Sequence, residues 1–186
     1  MSVTIVTPPT ETPVTLADIK AHLRIDFDDE DALLVSLIEA ATGQIEARLG
    51  RALVMRTVRQ TFKRFSPVLR LSASPVQSVA SVAYLDAANV DRTLSASAYR
   101  VEGVGDVATI APVTPWPATG SEPDAVAVTY VAGYGDAEEV PGAIRNAVKM
   151  LAGGLYNHRE STTAADLMPA IEGVEDVITA NREWAF

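Results

Sequence analysis

The chain has 186 residues, 48% of them hydrophobic, which is enough for one core of ordinary size or a core with a small subdomain. Cysteine is absent, which excludes disulfides, Cys-ligated zinc and thiol catalysis and suits a reducing cytoplasm. A formal charge of −9 disfavours general nucleic-acid binding, which neutralises phosphates with Lys and Arg, but is compatible with DNA sliding past without sticking.

Residues 1–13 are rich in Thr and Pro and have neither a basic start nor an apolar signal core, so export is not expected. No run of about 18 apolar residues predicts a membrane span. Thr15-Leu16-Ala17-Asp18 has the form of a capping box with Asp in place of Glu, and Leu16, Ile19 and Leu23 follow at helical spacing. A second, longer helix is expected from a cap at Asp28 or Asp29 to Leu49. Leu33, Leu34, Leu37, Ile38, Ala41, Ile45 and Leu49 form its stripe, an acidic first turn suits the helix dipole, and Gly50 is the stop.

From Val54 to Val131 the pattern turns to β-branched residues, alternation and Pro/Gly punctuation. Strands are expected at 58–65, 79–84, 99–102, 107–110 and 125–131, with Pro112, Pro115, Pro117 and Pro123 confining the segment around Trp116 to a loop or edge. A third helix is expected from Pro141, as its first residue, with Ile144, Ala147, Val148, Leu151 and Leu155 on one face. Gly153-Gly154 inside it reads either as close packing against another helix or as a fraying end. The polar segment 157–170 precedes a last amphipathic stretch starting with Val174, Val177 and Ile178 and continuing to Trp184 and Phe186.

These elements predict an α+β fold in one domain, 1–186. Its helical core of three to four helices (14–53 and 138–186) carries an inserted small β-sheet subdomain over 54–135.

Local signals for chemistry are weak. Asp26, Asp28 and Glu30 align with the first ligands of a calcium loop, but Asp31 stands where glycine should turn and Leu37 where a bidentate carboxylate belongs. His22 and His158 have no metal-ligand spacing, and no Gly-x-Ser-x-Gly elbow occurs. Gly103-Val104-Gly105-Asp106 and Gly133-Tyr134-Gly135-Asp136 read as turns after strands instead of phosphate loops. No catalytic residue, cofactor or metal is therefore expected.

Charge is unevenly spread. Arg48, Arg51, Arg56, Arg59, Lys63, Arg64 and Arg70 occupy a run without any acid, just after the acidic group Asp26, Asp28, Asp29, Glu30 and Asp31. Solvated faces, complementary patches between subunits and direct phosphate contact are the three readings. The interface candidates on the second are Asp28, Asp29, Asp31, Arg48, Arg51, Arg56 and Arg59. The terminal Trp184 and Phe186 dock either on the chain's own core or in a partner's groove.

The order of segments resembles the phage head–tail connector (adaptor) family, found in long-tailed phages and gene transfer agents. VTLADIKAHLR at 14–24 and the acidic entry to the second helix begin it. SPVQSV at 74–79, VTYVAGYG at 128–135, VPGAIR at 140–145 and LYNHRE at 155–160 continue it. The polar Ile171-Glu172-Gly173 departs from the usual entry to the tail. The resemblance implies a structural protein that is not an enzyme. About a dozen copies would form a ring on the portal, in the virion neck between capsid and tail. It further implies a stopper or tail-completion protein on the other side, DNA passing through without specific binding, no membrane, and assembly in the bacterial host cytoplasm. Portal contact falls on Val174, Val177, Ile178, Trp184 and Phe186. Another neck component, a stopper or tail-completion protein, is the alternative.

Overall fold

The computed structural model describes residues 2–157 and 174–181. The fold is α+β, with four helices and two antiparallel sheets. Two compact units are interleaved along the chain: a β unit from residues 2–9 and 55–134, and a helical unit from 10–54 and 135 onward.

In the β unit, β1 (Ser2–Thr7), β2 (Arg56–Phe62), β8 (Val126–Ala132), β4 (Val76–Leu85) and β5 (Asp91–Thr93) lie side by side in that order. A second sheet has the order β3 (Leu69–Arg70), β7 (Thr109–Pro112), β6 (Tyr99–Glu102). The central β8 is nearly continuous in apolar residues, and Val126, Val128, Tyr130 and Ala132 are buried. On β2, buried Val58 and Gln60 flank exposed Arg59, the alternation of a strand with one covered face. Pro112 ends β7 at a position paired only with Tyr99 of β6, beyond the two residues that β3 covers, so no ladder bond is lost to its missing N–H.

The expected strand over 58–65 stops at Phe62, because Lys63 and Arg64 bend the chain. The strand expected at 107–110 runs instead over Thr109–Pro112. The strands β1, β3 and β5 have no counterpart in the expected elements. In the Pro-rich loop, Trp116 stacks on Phe65 at 4.5 Å between ring centroids, and its indole N–H donates to the Ser66 carbonyl.

One buried polar network joins the two sheets. Gln60 is fully buried, and its amide N–H groups donate to the Arg70 carbonyl and Ser72 Oγ. Its Oε1 accepts from the Ser72 N–H and the Tyr130 hydroxyl, and the Tyr130 oxygen accepts from the Ala73 N–H. Burial raises the Tyr130 phenol above its ordinary pKa, which keeps it a donor.

In the helical unit, α1 (Leu16–Leu23), α2 (Asp31–Leu49) and α3 (Gly142–Asn157) are joined by α4, over residues 174–181. Ile19, Leu34, Ile38, Ile45, Ile144, Val148, Leu151 and Val174 are among its buried side chains. Thr15 and Asp18 make the anticipated capping box, and Gly50 ends α2 at φ +69° with its N–H on the Glu46 carbonyl. Two expected helix starts are corrected. Glu30, not Asp28 or Asp29, holds the N-cap position of α2 and makes no side-chain cap bond; its carboxylate accepts from the Tyr156 hydroxyl, while Asp28 pairs with Lys20. Pro141 precedes α3, and its carbonyl accepts from the N–H groups of Ile144 and Arg145.

Gly153 settles the choice between packing and fraying. It is buried, and a Cβ there would lie 3.2 Å from Leu23 Cδ2 and 3.7 Å from the His22 ring, so α1 and α3 approach closely.

Replacing Gln60 by Leu leaves the Ser72 N–H and the Arg70 carbonyl without their buried partner, and should cost on the order of 3 kcal/mol. Tyr130→Phe should cost about 1 kcal/mol. Urea unfolding measures both, and a Gln60→Leu protein as stable as the parent would refute the network's role.

Candidate functional site

Among the described residues, no group of three or more His, Asp or Glu is placed to hold a metal ion, and no helix is long and apolar enough to cross a membrane. What the helical unit does present is localised charge.

The turn between α1 and α2 is acidic and anchored. Arg24 ends α1 in the left-handed region, at φ 58° and ψ 43°, which redirects the chain. Lys20 Nζ then donates to Asp28 and, at 2.8 Å, to Asp31 at the start of α2. Those two hydrogen bonds raise the Lys20 pKa, so the ammonium stays charged throughout the neutral range. Glu30 accepts a hydrogen bond from the Tyr156 hydroxyl near the end of α3. Asp26 and Asp29 are exposed and have no ion-pair partner among the described residues, and Phe27 between them is 43% exposed.

A cleft of about 390 Å³ lies beside the starts of α1 and α3, lined by Pro13, Val14, Asp18, Arg145, Asn146 and Lys149. Arg145 and Lys149 are the only charged residues of α3 and stand one turn apart. Asp18 is the single acid there. Hydrogen bonds from Thr15, through its side chain and backbone, hold the Asp18 carboxyl below its ordinary pKa, with lesser help from Lys149 and Arg145.

The interface candidates read from the sequence are divided between the two units. Asp28 and Asp31 are engaged by Lys20, while Asp29 is exposed beside them. Arg48 pairs with Glu175 of α4 at 2.9 Å, and Arg51 is half-buried just after α2. Arg56 and Arg59 belong to β2 of the other unit, half-buried and exposed respectively. Of the tail candidates, Val174 and Ile178 are buried within the chain, Val177 is half-buried, and Trp184 and Phe186 lie outside the described residues.

Two surfaces were missed. One is the Arg145–Lys149 cleft, whose only sequence signal is two cations at i and i+4 in an otherwise uncharged helix. The other is β1, an edge strand exposed along its whole length with Val3, Ile5 and Val6 44–55% exposed.

Residues 13–104 match the family described as phage gp6-like head–tail connector protein. Over that stretch the chain is similar to the phage head–tail connector family. Likeness to solved structures extends over the whole length of the chain. A chain in the neck of an empty gene transfer agent (GTA) particle, computed with C6 symmetry, is 28% identical at a TM-score of 0.80, covering 100% of this chain and 97% of that one. A chain of the virion of a native GTA particle is 27% identical at a TM-score of 0.82, with the same coverage. A third, in the neck of a native GTA particle computed with C12 symmetry, is 27% identical at 0.78, again over 100% and 97%. A search of curated proteins gives no match.

The capping box makes the stability of the chain depend on pH. A carboxyl with a lowered folded-state pKa stabilises above its unfolded value, and that contribution is lost as pH falls through the folded one. Thr15→Ala should therefore cost about 1 kcal/mol at pH 7. The deficit should shrink as the medium becomes more acidic than the Asp18 pKa, because only the hydroxyl–backbone bond then distinguishes the two proteins. Thermal unfolding at neutral and strongly acidic pH compares them, and a deficit that grows in acid contradicts the assignment.

Proposed function

We propose that this chain is the adaptor subunit of a virion neck, working by assembly and not by catalysis. Copies form a ring on the portal, and the ring joins the DNA-filled head to a stopper or tail component. The observation that carries this reading is the full-length likeness to neck chains at 27–28% identity, over the helical and the β unit together. The C6 and C12 symmetries of those necks support a cyclic assembly of identical subunits.

On this reading residues 1–186 act as one connector domain. Its helical core, 14–53 and 138–186, supplies the ring wall through α2 and α3, and the β-rich part, 54–135, is an insertion. Val174 and Ile178 tie α4 to the chain's own core, so portal contact is assigned to Val177, Trp184 and Phe186 at the end of the tail. A charge of −9 per copy favours passage of DNA over adhesion in the channel. Assembly takes place in the bacterial host cytoplasm.

Mixing the purified protein with its cognate portal and imaging the product by electron microscopy tests the reading. A ring seated on the portal is expected, and its absence with folded, full-length protein overturns the adaptor role. A ring seated only on the opposite end of an adaptor-bearing portal would make the chain a stopper instead. Removing residues 182–186 should abolish portal binding and leave the unfolding temperature within a few degrees of the parent; unimpaired docking removes Trp184 and Phe186 from the interface.

A further inference from the structure

We infer that the acidic turn at residues 26–29 of one copy seats in the Arg145–Lys149 cleft of its neighbour, forming a head-to-tail contact around the ring. The inference rests on the ring reading above and names the surfaces that close it.

Three observations carry it. The first is placement. Helices α1 and α3 run side by side in the same direction: Asp18, in the first turn of α1, faces Arg145 and Lys149, whereas Leu23 and His22 at its end lie against Gly153. The cleft therefore opens at one end of this pair, and the turn after Arg24 projects at the other, where Tyr156 holds Glu30. Tyr156 lies eleven positions after Arg145 in α3, about 16 Å along the axis. A cyclic ring requires two different surfaces on every copy, and surfaces at opposite ends of one rigid helix pair meet that requirement.

The second observation is charge. The cleft holds two cations against the single acid Asp18, at the amino-terminal end of a 16-residue helix. The turn offers Asp26 and Asp29, neither neutralised by a cation among the described residues, while Asp28 is already satisfied by Lys20. In a chain of net charge −9, two copies repel unless their contact gathers unlike charges, and these surfaces do so.

The third is shape. Phe27 stands 43% exposed between acids in the turn, and the cleft it would enter is mainly polar, with the buried Pro13 and Val14 at its floor. An aromatic anchor ringed by charge is the composition of an interface centre with a polar rim. Lys20 and the left-handed Arg24 hold the turn in place before assembly, so little ordering remains to be done on binding.

Charge reversal with rescue tests the contact, using full-length protein and ring formation on the cognate portal imaged by electron microscopy. Arg145→Glu with Lys149→Glu should reduce the assembled fraction by more than about tenfold, since like charges then face each other across the interface. Asp26→Arg with Asp29→Arg should do the same, and Phe27→Ala should weaken assembly without altering charge. A protein carrying all four reversals should regain rings, because the pairs are restored with their signs exchanged. Circular dichroism on each variant separates lost assembly from lost folding. Wild-type rings that tolerate either folded reversal overturn this contact and leave the adaptor reading standing. A folded fourfold variant that fails to regain rings also overturns it. Wild-type protein that forms no ring overturns the adaptor reading itself.

Discussion

The helical unit depends on how closely α1 can approach α3, and position 153 sets that distance. With glycine there, Leu23 and the His22 ring lie against the α3 backbone, where a Cβ would already be 3.2 Å from Leu23. Two adjacent glycines cost a helix interior about 1 kcal/mol each relative to Ala, so the segment is helical because it is packed and not because it prefers helix. The direction of α1 along α3 follows from this contact together with Asp18 near Arg145 and Lys149. From that direction follow the location of the cleft and of the turn after Arg24. Lys20 and Tyr156 then tie the turn down at both sides, through Asp28 and Asp31 and through Glu30.

The β unit is held by a different device. Its two sheets meet around Gln60 and Tyr130, where satisfied hydrogen bonds replace apolar contact. An amide buried this deeply is costly without partners and specifies a single arrangement with them. The strand pairing of β2 with β8 is thereby registered against the chain at Arg70–Ala73, a link between sheets that share no ladder. Beyond β2 the sheet ends in β1, whose six exposed residues carry no charge to discourage further pairing.

Helices with a strong apolar stripe were legible in the sequence, as were the capping box at Thr15 and the stop at Gly50, because these signals are local. Acids ahead of α2 were misread as caps because a carboxylate before an apolar run serves equally as a cap or as a partner for a distant cation. Lys20 decides between them, and only the turn at Arg24 brings it close. Strand β1 escaped notice because an edge strand with no buried face lacks a core to impose its pattern, and its partner β2 begins about fifty residues later. The cleft was invisible for a similar reason: Pro13 to Asp18 and Arg145 to Lys149 lie at opposite ends of the sequence. The basic run from Arg48 to Arg70 looked continuous in one dimension, yet it is divided between two units, and Arg48 is committed to Glu175. Family order supplied what local pattern did not, since weak motifs in a fixed sequence constrain a fold more than any one of them alone.

Charge governs what such a subunit can do in an assembly. Exposed ion pairs contribute little each, typically under about 1 kcal/mol, so two carboxylates facing two cations do not hold a ring together by Coulomb attraction alone. Their larger effect is on register: a strongly acidic chain that meets a copy of itself in any other orientation brings acid to acid. Adhesion then comes from apolar anchors such as Phe27, and from closure, in which the last contact of a ring forms within an assembly already in place. Weak, oriented contacts repeated around an axis give a structure that forms without trapping mismatched pairs.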